Sequence, residues 1–97
     1  MDRESALAEI RTDIAEGRSD QVPSKVSALV EEFGDMVTIL TCMSILKVIN
    51  DESLNRELID KLIASVEGND ILVFEAAQAL RALGHPFQAY DLLKPLP

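Results

Sequence analysis

The sequence predicts an all-α domain of six antiparallel helices, arranged as three stacked αα-hairpins in a short α-solenoid or helical bundle. Three observations lead there. The helix breakers recur sixteen or seventeen residues apart, at Gly17, Gly34, Asn50-Asp51, Gly68 and Gly84. Apolar residues between them repeat with a period near 3.6, and nothing alternates as a strand does. The apolar stripes also superimpose under a shift of 33 to 35 residues, so one hairpin is written three times, over about 2–33, 35–67 and 70–96.

Gly and Asn tolerate the left-handed conformation that follows a helix end. Each stop is followed by a helix-starting signal: Asp20 to Pro23, Asp35, Asp51 to Ser53, Asn69-Asp70 and His85-Pro86. Six helices of 12–15 residues are therefore expected, joined by tight turns. Helix 1 carries a thin stripe of Leu7, Ile10 and Ile14. Helix 2 carries Val22, Val26, Leu29, Val30 and Phe33 on one side. Helix 3 is apolar nearly all round between Met36 and Ile49, with a polar stripe of Thr38, Thr41, Ser44 and Lys47. Helix 4 is one-sided again, with Leu58, Ile59, Leu62, Ile63 and Val66. Helix 5 repeats the character of helix 3, with Glu75, Gln78 and Arg81 as its polar stripe. Helices this apolar should be covered on most sides, so helices 3 and 5 are expected at the centre, with helices 2, 4 and 6 as a second layer.

Under the shift of 34, Thr41, Ser44 and Lys47 fall on Glu75, Gln78 and Arg81, while Leu58, Ile59 and Leu62 fall on Leu92, Leu93 and Leu96. Helix 1 matches helix 3 least well, as suits a terminal repeat whose outer face meets water. The segment Glu75–Leu96 resembles one HEAT-like repeat of the phycobilisome-lyase type, within the broader armadillo-like class. The match extends over about residues 73–96. It rests on the small residues Ala76, Ala77 and Ala79, on Leu83-Gly84-His85-Pro86 in place of the family's Leu-Gly-Asp-Pro, and on the apolar pair Leu92-Leu93. Phe74 stands where the family usually has Arg, and His85 where it has Asp. The resemblance implies a scaffold or partner-binding surface.

Composition narrows the function classes. The 97 residues include 17 acidic and 9 basic side chains, a formal net charge of −8. Neither half of the chain is basic, so nucleic acid is not an expected partner. The longest weakly charged run, residues 36–50, is interrupted by Lys47 and is shorter than the roughly 20 residues of a membrane span. No signal peptide is recognisable, and a single cysteine cannot form an internal disulfide; a cytoplasmic setting is expected.

No catalytic, cofactor or metal constellation is visible. His85 is the sole histidine and sits in a turn, where a helix cap is the simplest role for it. Cys42, among Val37, Ile39, Met43 and Ile45, reads as a buried, unreactive thiol. The carboxylates are dispersed and read as a solvated face. One constellation stands out. The shift of 34 places Phe87 and Tyr90 where the middle hairpin has Ser53 and Arg56. A position that is polar in one hairpin and aromatic in the next either closes the end of the stack or anchors a partner. The expected function is a small acidic interaction module or subunit without intrinsic catalysis. Its expected partner is another protein or a second copy, contacted through Phe87, Tyr90, Arg56 and Ser53. Two alternatives stay open: a death-domain-like six-helix fold, whose Greek-key wrapping would bring helices 1 and 6 together, and an enzyme or accessory subunit with a carboxylate site formed only in three dimensions.

Overall fold

The computed structural model describes residues 2–94, and among them every regular element is helical. In chain order these are α1 (Arg3–Ala15), a 3-10 turn (Ser19–Gln21), α2 (Val22–Phe33), α3 (Met36–Val48), α4 (Glu52–Val66), α5 (Asp70–Ala82) and α6 (Pro86–Leu93). The breakers act as read. All four glycines and Asn50 have positive φ, and Asn50 is the one non-glycine residue among the described residues to do so, at 60°. Starts are equally local. The side chains of Asp2, Asp35, Asp51 and Asn69 accept from the backbone N–H three residues on. Each such cap satisfies an amide that the helix itself cannot. α2 and α6 instead begin with Pro in the first turn and have no side-chain cap. His85 thus occupies the cap position of α6 without capping it. α6 spans eight described residues, shorter than expected; its expected continuation to Leu96 lies outside the described residues.

Packing follows chain order. α1 packs on α2, α3 on α4 and α5 on α6, and the hairpins join through α2·α3, α4·α5 and α3·α5. α1 and α6 are not a packed pair. The molecule is accordingly elongated, 46 × 25 × 16 Å. The core runs its length, from Leu7 and Ile10 through Val26, Ile39, Met43, Leu46, Leu58 and Leu62 to Ala77 and Leu80.

α3 lies at the centre, and it buries Thr38, Ile39, Cys42, Met43, Ile45 and Leu46. Thr38 was expected on the polar stripe; it is fully buried, its hydroxyl donating to the Asp35 carboxylate at 2.7 Å. α5 is less enclosed than its composition suggested. α3, α4 and α6 cover the face of Val73, Ala76, Ala77 and Leu80, while Ile71 and Phe74 are exposed. Val37 and Val48 of α3 are exposed as well. A helix in the outer layer of a stack keeps one face in water whatever its sequence.

Candidate functional site

The position that separates the three hairpins is internal. The shifts that align them place Val22, Asn55 and Ala89 at one site on α2, α4 and α6, and all three are buried. Only the middle one is polar. Asn55 Nδ2 donates to the Met43 carbonyl at 3.5 Å, and its Oδ1 is buried without a partner. A buried acceptor left unpaired is uncommon, because it loses its water without regaining a hydrogen bond.

Asn55 lines a pocket of about 190 Å³ between two successive hairpin turns. The end of α3 contributes Leu46, Lys47 and Asn50. The start of α4 contributes Asp51, Glu52 and Asn55, and the α5–α6 turn contributes Leu83 and His85. Local rules build each wall. Asn50 turns the chain in the left-handed region, Asp51 caps α4 through the Leu54 amide at 3.1 Å, and Gly84 turns the chain with φ of 90°. A β-carbon at Gly84 would lie 4.0 Å from Lys47 Nζ, so the ammonium sits beside this second turn. Among the described residues, Lys47, Asp51, Glu52 and His85 form no ion pair.

None of the four residues expected at a partner site lines this pocket. Ser53 lies between Glu52 and Asn55 on α4, and Phe87 follows His85 by two residues on α6. Ser53, Arg56, Phe87 and Tyr90 are all exposed. Phe87 and Tyr90 are 83% and 67% accessible, so they do not fold over the end of the stack. α4 and α6 are not a packed pair, so the two halves of the set share an end of the molecule without forming one packed patch.

Two further polar features have structural explanations. Asp13, on α1, is buried and joins α1, the following loop and α2. Its carboxylate takes Arg18 at 3.0 Å and the ammonium of Lys25, which also reaches Glu9 at 2.9 Å. The hydrogen bond from Lys25 holds the Asp13 carboxyl below its ordinary range, with Arg18 assisting, and Asp13 in turn raises Lys25. Asp35 is held low by the Thr38 hydroxyl, and Arg3 stands 3.8 Å from it, tying the first hairpin to the second. Cys42 is fully buried, and burial, aided by the Asp35 charge, pushes its thiol up to about 11.

No three His, Cys, Asp or Glu side chains among the described residues cluster closely enough to hold a metal ion. No helix among the described residues is long and apolar enough to cross a membrane. Asn55 was not singled out by composition or motif, although the same shift that aligned the stripes puts its amide at an otherwise apolar position. Comparison with protein-family models, with curated proteins and with solved structures finds no match to the chain.

Proposed function

We propose that the chain is a protein-interaction module of the helical-repeat kind, without catalysis of its own. It engages its partner at the end where α4 and α6 begin. Phe87 and Tyr90 serve as anchors, with Ser53 and Arg56 at the start of α4 as further contacts. The observation that carries this reading is the exposure of the two aromatic rings, 83% and 67%, on a helix whose opposite side is buried at Ala89. Large aromatic side chains left in water gain most from being covered, and they dominate interface energetics. The partner is another protein or a second copy of the chain. A net charge of −8 makes nucleic acid a poor ligand.

The packing order supports the repeat reading over a death-domain-like one, since α1 and α6 are not packed together. The resemblance of residues 73–96 to a HEAT-like repeat supports it too. A carboxylate-based enzyme would want an acid held high in its pocket. The shifted carboxylates, Asp2, Asp13 and Asp35, are all held low, which suits caps and ion pairs. The lone buried thiol and the absence of a membrane-length helix among the described residues fit a cytoplasmic setting.

Two measurements test the reading. Tagged protein is used to capture partners from extract of its native cell, with Phe87→Ser and Tyr90→Ser as controls, and the purified chain is sedimented over a range of concentrations. A captured protein or a self-associated species that both variants lose, at unchanged helicity, is the expected result. A partner retained by both variants places the interface elsewhere.

A further inference from the structure

Asn55, whose enclosed Oδ1 folding leaves unsatisfied, is one of the residues lining the pocket between the α3–α4 and α5–α6 turns. We infer that the pocket receives the guanidinium of an arginine side chain presented by the partner, the Asn55 amide turning on binding so that its Oδ1 accepts from it; this rests on the reading of the chain as an interaction module. Asn55 Oδ1 can only accept, so the missing group is a donor. The charge around it favours a cation. Asp51 and Glu52 exceed Lys47 by one negative charge, and no other side chain among the described residues pairs with them.

Guanidinium fits better than ammonium for two reasons. Its planar fork can meet an amide oxygen and a carboxylate at once, where an ammonium is a single point of charge. Its flat face also stacks on aromatic rings, and Phe87 and Tyr90 are exposed on the helix that begins at this pocket. A pocket of about 190 Å³ has room for one such side chain tip. The partner segment would then place an arginine between the two turns while its neighbouring residues cover the rings.

The test uses the whole labelled chain and three probes, N-acetylargininamide, N-acetyllysinamide and N-acetylalaninamide, followed by amide chemical shifts. The expected result is a saturable shift of the Asn55 side-chain amide and of the Asp51 and Glu52 backbone amides with the arginine probe alone. Asn55→Leu should weaken that binding roughly tenfold, the loss of one charged hydrogen bond. Because Asn55 is buried, the exposed Glu52→Gln serves as a second variant and should weaken it by a smaller factor. No saturable shift, or equal shifts with the alanine probe, would mean that water alone fills the pocket and would overturn the assignment; equal binding of the lysine probe would overturn the preference for guanidinium. The probe assay needs no partner. Partner capture retained in both Phe87→Ser and Tyr90→Ser, with probe binding intact, would therefore sink the proposed interface and not the pocket. Absent probe binding, with a partner that the unaltered chain captures and both variants lose, would do the reverse.

Discussion

Asn55 of α4 hands its amide N–H to the Met43 carbonyl of α3 across 3.5 Å and leaves its own oxygen unpaired inside the protein. One bond is made and one is missing at the junction of the two helices of the central hairpin. An unsatisfied buried acceptor costs about 1–3 kcal/mol, more than a single neutral hydrogen bond contributes. Asn55→Leu, which makes the site apolar like Val22 and Ala89, should leave stability unchanged or raise it by about 1 kcal/mol in denaturant unfolding. A loss above about 2 kcal/mol would show that ordered water completes the amide's bonding.

The Asp13 cluster should appear in the pH dependence of stability. Asp13 is lowered from its ordinary 3.8, so the folded state binds its proton less readily than the unfolded chain does. Its contribution is present above the unfolded value and is lost as pH falls through the folded one. Lys25 is raised from 10.5, so its contribution holds below that value and is lost as pH rises beyond it, through the folded pKa. Asp13→Asn should flatten the acid limb of the stability curve below pH 3.8 and lower the melting temperature at neutrality. An unchanged acid limb would mean that Asp13 contributes nothing to folding.

Burial separates Leu46 of α3 from Ile49, the cap residue just past it, which the pattern treats alike. Leu46 is fully buried, whereas Ile49, at the end of the helix, is only partly covered. Leu46→Ala should cost about 2–5 kcal/mol through the cavity it leaves, and Ile49→Ala clearly less. A cost under about 1 kcal/mol at Leu46 would remove α3 from the centre of the core.

Cys42 should be silent in the native protein. With its thiol pushed up to about 11, the thiolate at pH 8 is roughly a hundredfold scarcer than in a free cysteine, and burial further blocks access. Labelling by a thiol reagent should therefore follow global unfolding, and the protected fraction should track the circular-dichroism transition. Fast labelling under native conditions would contradict the burial of α3.

Phe87→Ser and Tyr90→Ser should each change stability by no more than about 0.5 kcal/mol, since both rings face water. Loss of helical signal in either variant would mean that the ring supports α6.

Much of this architecture is local chemistry and was legible in the chain. Asp35, Asp51 and Asn69 start helices because a short acceptor side chain can meet a free amide three residues on. Asn50 and the glycines stop them because they accept positive φ. These effects act within one turn, and the spacing between them sets the number of helices and the hairpin repeat. Other features depend on what lies across the interface. Thr38 and Lys47 sit on the same apparent polar stripe of α3, yet Thr38 is buried beside Asp35 and Arg3 while Lys47 is exposed at a second turn. Ile71 and Phe74 look like core and are exposed because no neighbour among the described residues covers that side of α5. His85 reads as a cap and instead lines a pocket.

The sequence by itself determined the six helices, their starts and their order, since caps, breakers and periodicity act within a few residues. Only the tertiary structure decided that Asp13 and Asn55 are buried, that the Asn55 oxygen is unpaired beside Asp51 and His85, and that Phe87 and Tyr90 stay in water. Burial and pairing are set by residues on different helices, as with Asp13 and Lys25 or Asn55 and Met43, each twelve positions apart, and they take shape only when the helices pack.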